Sequence, residues 1–156
     1  MNELRRKFLK TTMGLGALIT TIGAGLLIPQ RALAAYMAEA FAAKDVSVAL
    51  KAALGSDSHT PSDAIKLKAP DIAENGAVVP VTVSSTLPNV ESIAIIVSAN
   101  QSPLTSTYKL SSLSEAFIST RIKMGKTANV LAVVKSDGKL YSAMKEVKVT
   151  IGGCGG

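Results

Sequence analysis

From Ile65 onward the chain alternates apolar and polar residues with a period of two, and this pattern limits the fold more than any other feature. Ile65-Lys66-Leu67-Lys68-Ala69 alternates and is broken by Pro70-Asp71. Ala77 to Val83 follows; there Pro80 removes a ladder donor and points to an edge or a bulge. Ser92 to Ser98, with Ile93, Ile95, Ile96 and Val97, reads as a buried strand, and its apolar face fits core better than interface. Thr105 to Leu110, Phe117 to Lys123 and Asn129 to Lys135 are further strands. Asp137-Gly138 is the strongest hairpin signal, because both central positions of a type I′ turn need positive φ. It leads into Lys139 to Ile151, where Val147, Val149 and Ile151 line one face against Lys145, Glu146 and Lys148. Seven short strands at this spacing predict an all-β fold, an antiparallel β-sandwich. With aromatic residues at 4%, its core must be built of Val, Ile and Leu.

Before the strands, apolar residues at mixed helical spacing predict a helix over Val46 to Leu54. Asp45 is its N-cap, since a carboxylate there accepts from unpaired first-turn amides, and Gly55 ends it. Tyr36 to Ala43 either extends this helix or belongs to the leader. Ser56 to Asp63 reads as a polar loop holding Pro61 and the sole histidine, His59.

The first residues form a leader. Leu4 to Lys10 is charged, Thr11 to Pro29 is a long uncharged run, and Ala32-Leu33-Ala34 is a small-residue exit, the three parts of a secretory signal. Arg5-Arg6 followed by Phe8-Leu9-Lys10 has the form of a twin-arginine signal, the route for proteins that cross already folded. The apolar run has the length of a membrane span but is weakened by Gly14, Gly16, Gly23, Gly25, Thr20 and Thr21. A cleaved signal, with no permanent membrane anchor, is therefore expected. Cleavage is expected after Ala34; Ala38-Glu39-Ala40 and Ala40-Phe41-Ala42 share the small-x-small form and leave sites as far as Ala42 open. The chain then divides into signal peptide (1–34), helix and loop (35–63), β-sandwich (64–151) and a terminal segment (152–156).

The net charge of +6 belongs mostly to the leader. Arg5, Arg6, Lys7, Lys10 and Arg31 are five of the 17 cations and Glu3 is one of the 11 anions, which leaves 12 against 10 in the remainder. No nucleic-acid partner is called for. One Cys and one His exclude both an internal disulfide framework and a Cys/His-built zinc site. His59 beside Asp57 and Asp63 reads as a solvated loop residue, and Gly55 to His59 lacks the second glycine and preceding strand of a nucleophile elbow. By inventory the chain is not a self-contained enzyme. Folded export suggests that a partner is acquired before translocation.

The exception is the end: Ile151-Gly152-Gly153-Cys154-Gly155-Gly156. The only thiol of an exported chain sits between paired glycines, directly after the last strand. Glycine strips this segment of side-chain bulk and makes it a flexible arm. A thiolate at its tip can enter a narrow cleft, and its sulfur can be coupled to another sulfur and released. Prenylation is excluded because Cys154 is third from the end. A ubiquitin-like use of Gly155-Gly156 would need cytoplasmic activation, against the leader.

Three features together resemble the SoxY family, the cysteine-bearing subunits of the Sox thiosulfate-oxidation carrier. They are the twin-arginine leader, the stretch Ile65 to Pro70 continuing through Ile72-Ala73-Glu74-Asn75-Gly76-Ala77-Val78-Val79-Pro80-Val81, and the arm Gly152, Gly153, Cys154, Gly155, Gly156. The resemblance implies an immunoglobulin-like antiparallel sandwich paired as a heterodimer with a SoxZ-type subunit in the periplasm. It implies that Cys154 carries thiosulfate-derived intermediates covalently. A c-type haem enzyme would couple thiosulfate to the thiol, a metal-dependent hydrolase would release sulfate and leave a persulfide, and the remaining sulfane sulfur would either be oxidised on the arm by a molybdenum sulfane dehydrogenase or be passed on towards sulfur storage. Those cofactors belong to the partners, and none is implied for this chain. Two other readings stand beside the carrier. One is a structural sandwich whose Cys154 only forms a disulfide-linked dimer. The other, a thiol redox enzyme, is disfavoured because no resolving Cys or activating His lies near Cys154.

Overall fold

A computed structural model describes residues 37–150. They contain one nine-residue helix, α1 (Val46–Leu54), preceded by helical residues 37–42, and nine strands. The strands are β1 (Thr60–Pro61), β2 (Ile65–Lys68), β3 (Ile72–Ala73), β4 (Val79–Ser85), β5 (Val90–Val97), β6 (Leu104–Lys109), β7 (Phe117–Ile122), β8 (Ala128–Ser136) and β9 (Lys139–Val149). One sheet runs β1-β9-β8-β5-β6 with β3 also on β9, and the other runs β2-β4-β7. The two-sheet, all-β architecture and the seven main strands follow the sequence pattern.

The helix forms as its ends dictate. Asp45 accepts from the backbone N–H of Ser47 at 2.8 Å and of Val48 at 3.4 Å, and from the Ser47 hydroxyl at 2.7 Å. These bonds hold its carboxyl below the ordinary value, the Ser47 hydroxyl contributing most. Gly55 closes the helix at φ 88°, its N–H bonded to Lys51 O at 2.9 Å. Residues 37–42 are a separate helical segment, not an extension of α1, because 43–45 are non-helical.

Between the sheets lies a core of Val79, Val81 and Val83 from β4, Ile93, Ile95 and Val97 from β5, and Val130, Ala132 and Val134 from β8. On the opposite face of the larger sheet Ala94, Ile96 and Val133 pack with Ala49, Leu50 and Leu54 of α1 and with Ala40. The described residues thus form three layers: small sheet, large sheet, helices. Every residue of β5 from Ile93 to Val97 is buried because both faces of that strand are covered.

Three expectations need correction. β4 is not an edge strand but the middle of its sheet. Pro80 is tolerated because the β2 register ends at Lys68↔Thr82, so Pro80 has a neighbour, Arg121, only on the β7 side. The sandwich is not purely antiparallel: β1 and β3 run parallel to β9. The segment 56–63 is not all loop, since Thr60–Pro61 forms β1, and His59 meets β9 through Nδ1 and Ser142 Oγ at 2.9 Å. The Asp137-Gly138 turn has the positive φ values expected, 48° and 72°.

Candidate functional site

The strand directions bring one set of connections to one end of the sandwich. β5 ends there at Val97, paired with Val130 near the start of β8. β4 begins there opposite the end of β7, Val79↔Ile122. The end therefore carries loops 69–78, 98–103 and 123–127, and β9 leaves the sheet among them.

The last residues of β9 are held from both sides. On one side β3 pairs in register Ile72↔Lys148 and Ala73↔Val149, with Lys148 N–H donating to Asp71 O at 2.9 Å and Thr150 N–H to Ala73 O at 3.1 Å. On the other, Val149 N–H donates to Thr127 Oγ1 at 3.0 Å. Lys145, which shares the inward parity of Val147 and Val149, reaches Ala69 O at 2.6 Å and Asp71 Oδ1 at 2.9 Å. Because Asp71 is 89% exposed, that ion pair adds at most about 1 kcal/mol.

Gly76 lets these parts close up. Its carbonyl accepts from Met124 N–H at 2.7 Å. A Cβ on Gly76 would overlap the Met124 carbonyl oxygen and stand 2.8 Å from Val149 Cγ1. Asn75 Oδ1 accepts from Ala77 N–H at 2.9 Å and turns the chain into β4. Across the end, Asn100 joins two loops: Nδ2 donates to Lys123 O at 2.7 Å and Oδ1 accepts from Gly125 N–H at 3.1 Å.

The residues singled out in sequence for chemistry, Cys154 with Gly152, Gly153, Gly155 and Gly156, lie outside the described residues, as do Arg5, Arg6 and Ile151. The structure does place the root from which that segment continues. Thr127, Asn100, Lys145 and Gly76 were not identified from their own chemistry. The Asn75-Gly76 pair is a turn signal that could have marked the last of these. Among the described residues no cluster of three or more His, Cys, Asp or Glu side chains is placed to hold a metal ion, and no helix is long and apolar enough to cross a membrane.

The fold and its anchored end define a class: a small layered β-sandwich whose last strand is held on both sides where it exits. The chain belongs to the SoxY family, whose model, described as "Sulfur oxidation protein SoxY", matches residues 50–154. Among solved structures it is similar to the sulfur carrier protein SoxY from Chlorobium limicola f thiosulfatophilum, with 46% identity, 66% of this chain and 94% of that chain covered, and a TM-score of 0.60. It also resembles the superoxide reductase neelaredoxin from Ignicoccus hospitalis, at 20% identity, 59% and 81% coverage and a TM-score of 0.50. That second likeness concerns the fold alone. No curated protein matches the chain.

Proposed function

We propose that this chain carries sulfur of the thiosulfate-oxidation pathway covalently on Cys154, at the tip of the arm Gly152 to Gly156. The observation that carries the reading is the coincidence of two boundaries. The family match runs through residue 154, and the body is hydrogen-bonded up to Thr150. The thiol therefore stands four residues beyond a fixed point, a reach of about 14 Å when extended. Loading joins the Cys154 thiolate to thiosulfate as R–S–S–SO3⁻, two electrons passing to a c-type haem partner. Hydrolysis by a metal-dependent partner adds water, releases sulfate and two protons, and leaves the persulfide R–S–S⁻. The remaining sulfur is then either oxidised on the arm by a molybdenum sulfane dehydrogenase or passed on towards sulfur storage. The carrier supplies no catalytic group to these steps; it supplies a thiol on a segment narrow enough to be admitted.

In this reading the sandwich is of the immunoglobulin-like kind and pairs with a SoxZ-type subunit. The chain reaches the periplasm through the Arg5-Arg6 signal. Burial of Ala40 at 0% and Ala43 at 9% in the helical layer supports cleavage after Ala34 over the later sites, which would cut into packed residues.

Intact mass spectrometry tests the proposal on protein purified without reductant from cells grown on thiosulfate, then repeated after reduction. Reducible additions of sulfane sulfur or thiosulfate on the Cys154 peptide are expected, and Cys154→Ser should abolish them. An unmodified thiol, or only a disulfide to a second copy, overturns the carrier reading in favour of a structural sandwich.

A further inference from the structure

The small sheet has a buried face and an open one. Ile65, Val79, Val81, Val83 and Ile122 enter the core. The residues alternating with them form an outer face on which Lys66, Lys68, Pro80, Phe117, Ser119 and Arg121 are exposed. The three strands hold three cations, Lys66, Lys68 and Arg121, and no Asp or Glu. The ion pairs among the described residues lie elsewhere, as Lys51–Asp57, Lys135–Glu91 and Lys145–Asp71. Of the acids that flank these strands in sequence, Asp71 is taken by Lys145, and Asp63 and Glu115 pair with no cation of this face. The register sets Lys68, Thr82 and Ser119 in one row and Pro80 and Arg121 in the next. Lys68 and Arg121 therefore stand about 12 Å apart, two strand spacings across and two residues along. Like charges so placed repel one another, and nothing within the three strands offsets them.

We propose that the outer face of β2, β4 and β7 is where the enzymes that act on the carrier settle, each through an acidic patch of its own. This rests on the carrier reading above. The charge names the occupant: a single-signed, flat, hydroxyl-bearing face is complementary to a surface of the opposite sign. Its size names the kind of contact. Three strands at about 4.8 Å and six residues at about 3.4 Å make a face of roughly 14 by 20 Å, well below the roughly 800 Å² per partner of a lasting interface. It therefore suits a brief, electrostatically steered visit, which a carrier serving several enzymes in turn requires. A lipid surface is a poorer match, because it calls for four to eight cations or apolar residues to insert, and this face offers three cations with Phe117 at one corner. The position suits delivery of the arm. Lys68 and Arg121 lie towards the end of the sandwich where β9 exits, and Lys145 of β9 ties to Ala69, the residue after Lys68. The two sheets of a sandwich are about 10 Å apart, so a visitor seated here has the root of the arm at its rim.

The test measures loading of the carrier, purified from cells and reduced, by the c-type haem enzyme of the same cells. Thiosulfate is the substrate, oxidised cytochrome c takes the two electrons, and intact mass follows the adduct on Cys154. Lys66→Gln/Lys68→Gln/Arg121→Gln is compared with Lys44→Gln/Lys109→Gln/Lys139→Gln, which removes the same charge from exposed positions elsewhere. Equal unfolding midpoints establish that both are folded. In 10 mM salt kcat/KM is expected to fall about tenfold in the first variant, the lower end of what steering contributes, with kcat at saturating carrier unchanged. The second variant should match the parent, and the difference should vanish in 0.5 M salt, where charges are screened within a few ångströms. Equal kcat/KM for parent and first variant overturns the docking face, and so does an equal fall in both variants, which assigns the effect to net charge. Sedimentation of the parent with phosphatidylglycerol vesicles, lost in the first variant while loading is not, overturns it in favour of a lipid surface. Failure of the carrier reading looks different: the parent itself then gains no adduct.

Discussion

Replacing Gly76 with alanine adds one methyl group at the most crowded point of the arm's root. The new Cβ would overlap the Met124 carbonyl oxygen and sit 2.8 Å from Val149 Cγ1. Backbone cannot rotate away as a side chain can, so loop 123–127 or the end of β9 must move. Overpacking of this kind costs about 1–3 kcal/mol. Displacing Met124 also weakens its 2.7 Å bond to Gly76 O, a further loss of about 1 kcal/mol. Alanine restricts the unfolded chain and returns about 0.5–1 kcal/mol. The net expectation is a loss of about 1–3.5 kcal/mol, a large share of the 5–15 kcal/mol typical of such a domain. Gly125→Ala is the control, because its Cβ would meet only Asn100 Oδ1, at 3.9 Å. Urea unfolding of both variants should give a midpoint lower by about 0.7–2.3 M for Gly76→Ala and nearly unchanged for Gly125→Ala. Hydrogen exchange of the Thr150 amide should quicken in the first only. Equal midpoints would refute the view that Gly76 is required by close approach, since its φ is not positive.

Thr127→Val keeps the shape but removes the acceptor of Val149 N–H; a loss of about 1 kcal/mol and faster exchange at Val149 are expected, and unchanged exchange would argue against the clamp. Asp45→Ala should lower the thermal unfolding midpoint through the lost cap of α1. The lowered pKa of Asp45 means that its contribution is present above the unfolded value and fades as pH falls through the folded one. The parent should therefore lose its advantage over Asp45→Ala on acidification below about pH 4. Gly153→Val/Gly155→Val should leave the unfolding midpoint unchanged yet block turnover by the partner enzymes; unimpaired turnover would sink the slender-arm argument.

Much of this body was legible because its strands report local constraints. Period two located β2, β7 and β9, apolar runs located β5 and β8, and the demands of Asp45, Gly55, Asp137 and Gly138 are each met within a few residues. What was not legible depends on distant residues. Pro80 looks like an edge signal until the length of β2 is known, because tolerance for a missing N–H depends on where a neighbour stops. β1 and β3 are two residues each and exist only because β9 offers them an edge. The same holds at the site. Cys154 declared itself by its setting, whereas Gly76, Asn100 and Thr127 act through partners 20 or more positions away.

The attachment of β9 also has a mechanical side. Under the proposed carrier function, a partner drawing residues 152–156 into its own cleft along the strand axis would pull on Thr150. The ladder to β8 spans nine residue pairs, from Ala128↔Val147 to Ser136↔Lys139. Tension in that direction loads these bonds together in shear, where an end pulled sideways would open them one at a time. The β3 pairing and the Thr127 hydroxyl resist at the point of traction. The sandwich is therefore built to bear a pull at Thr150 without unravelling, as repeated loading and discharge would require under the proposed carrier function.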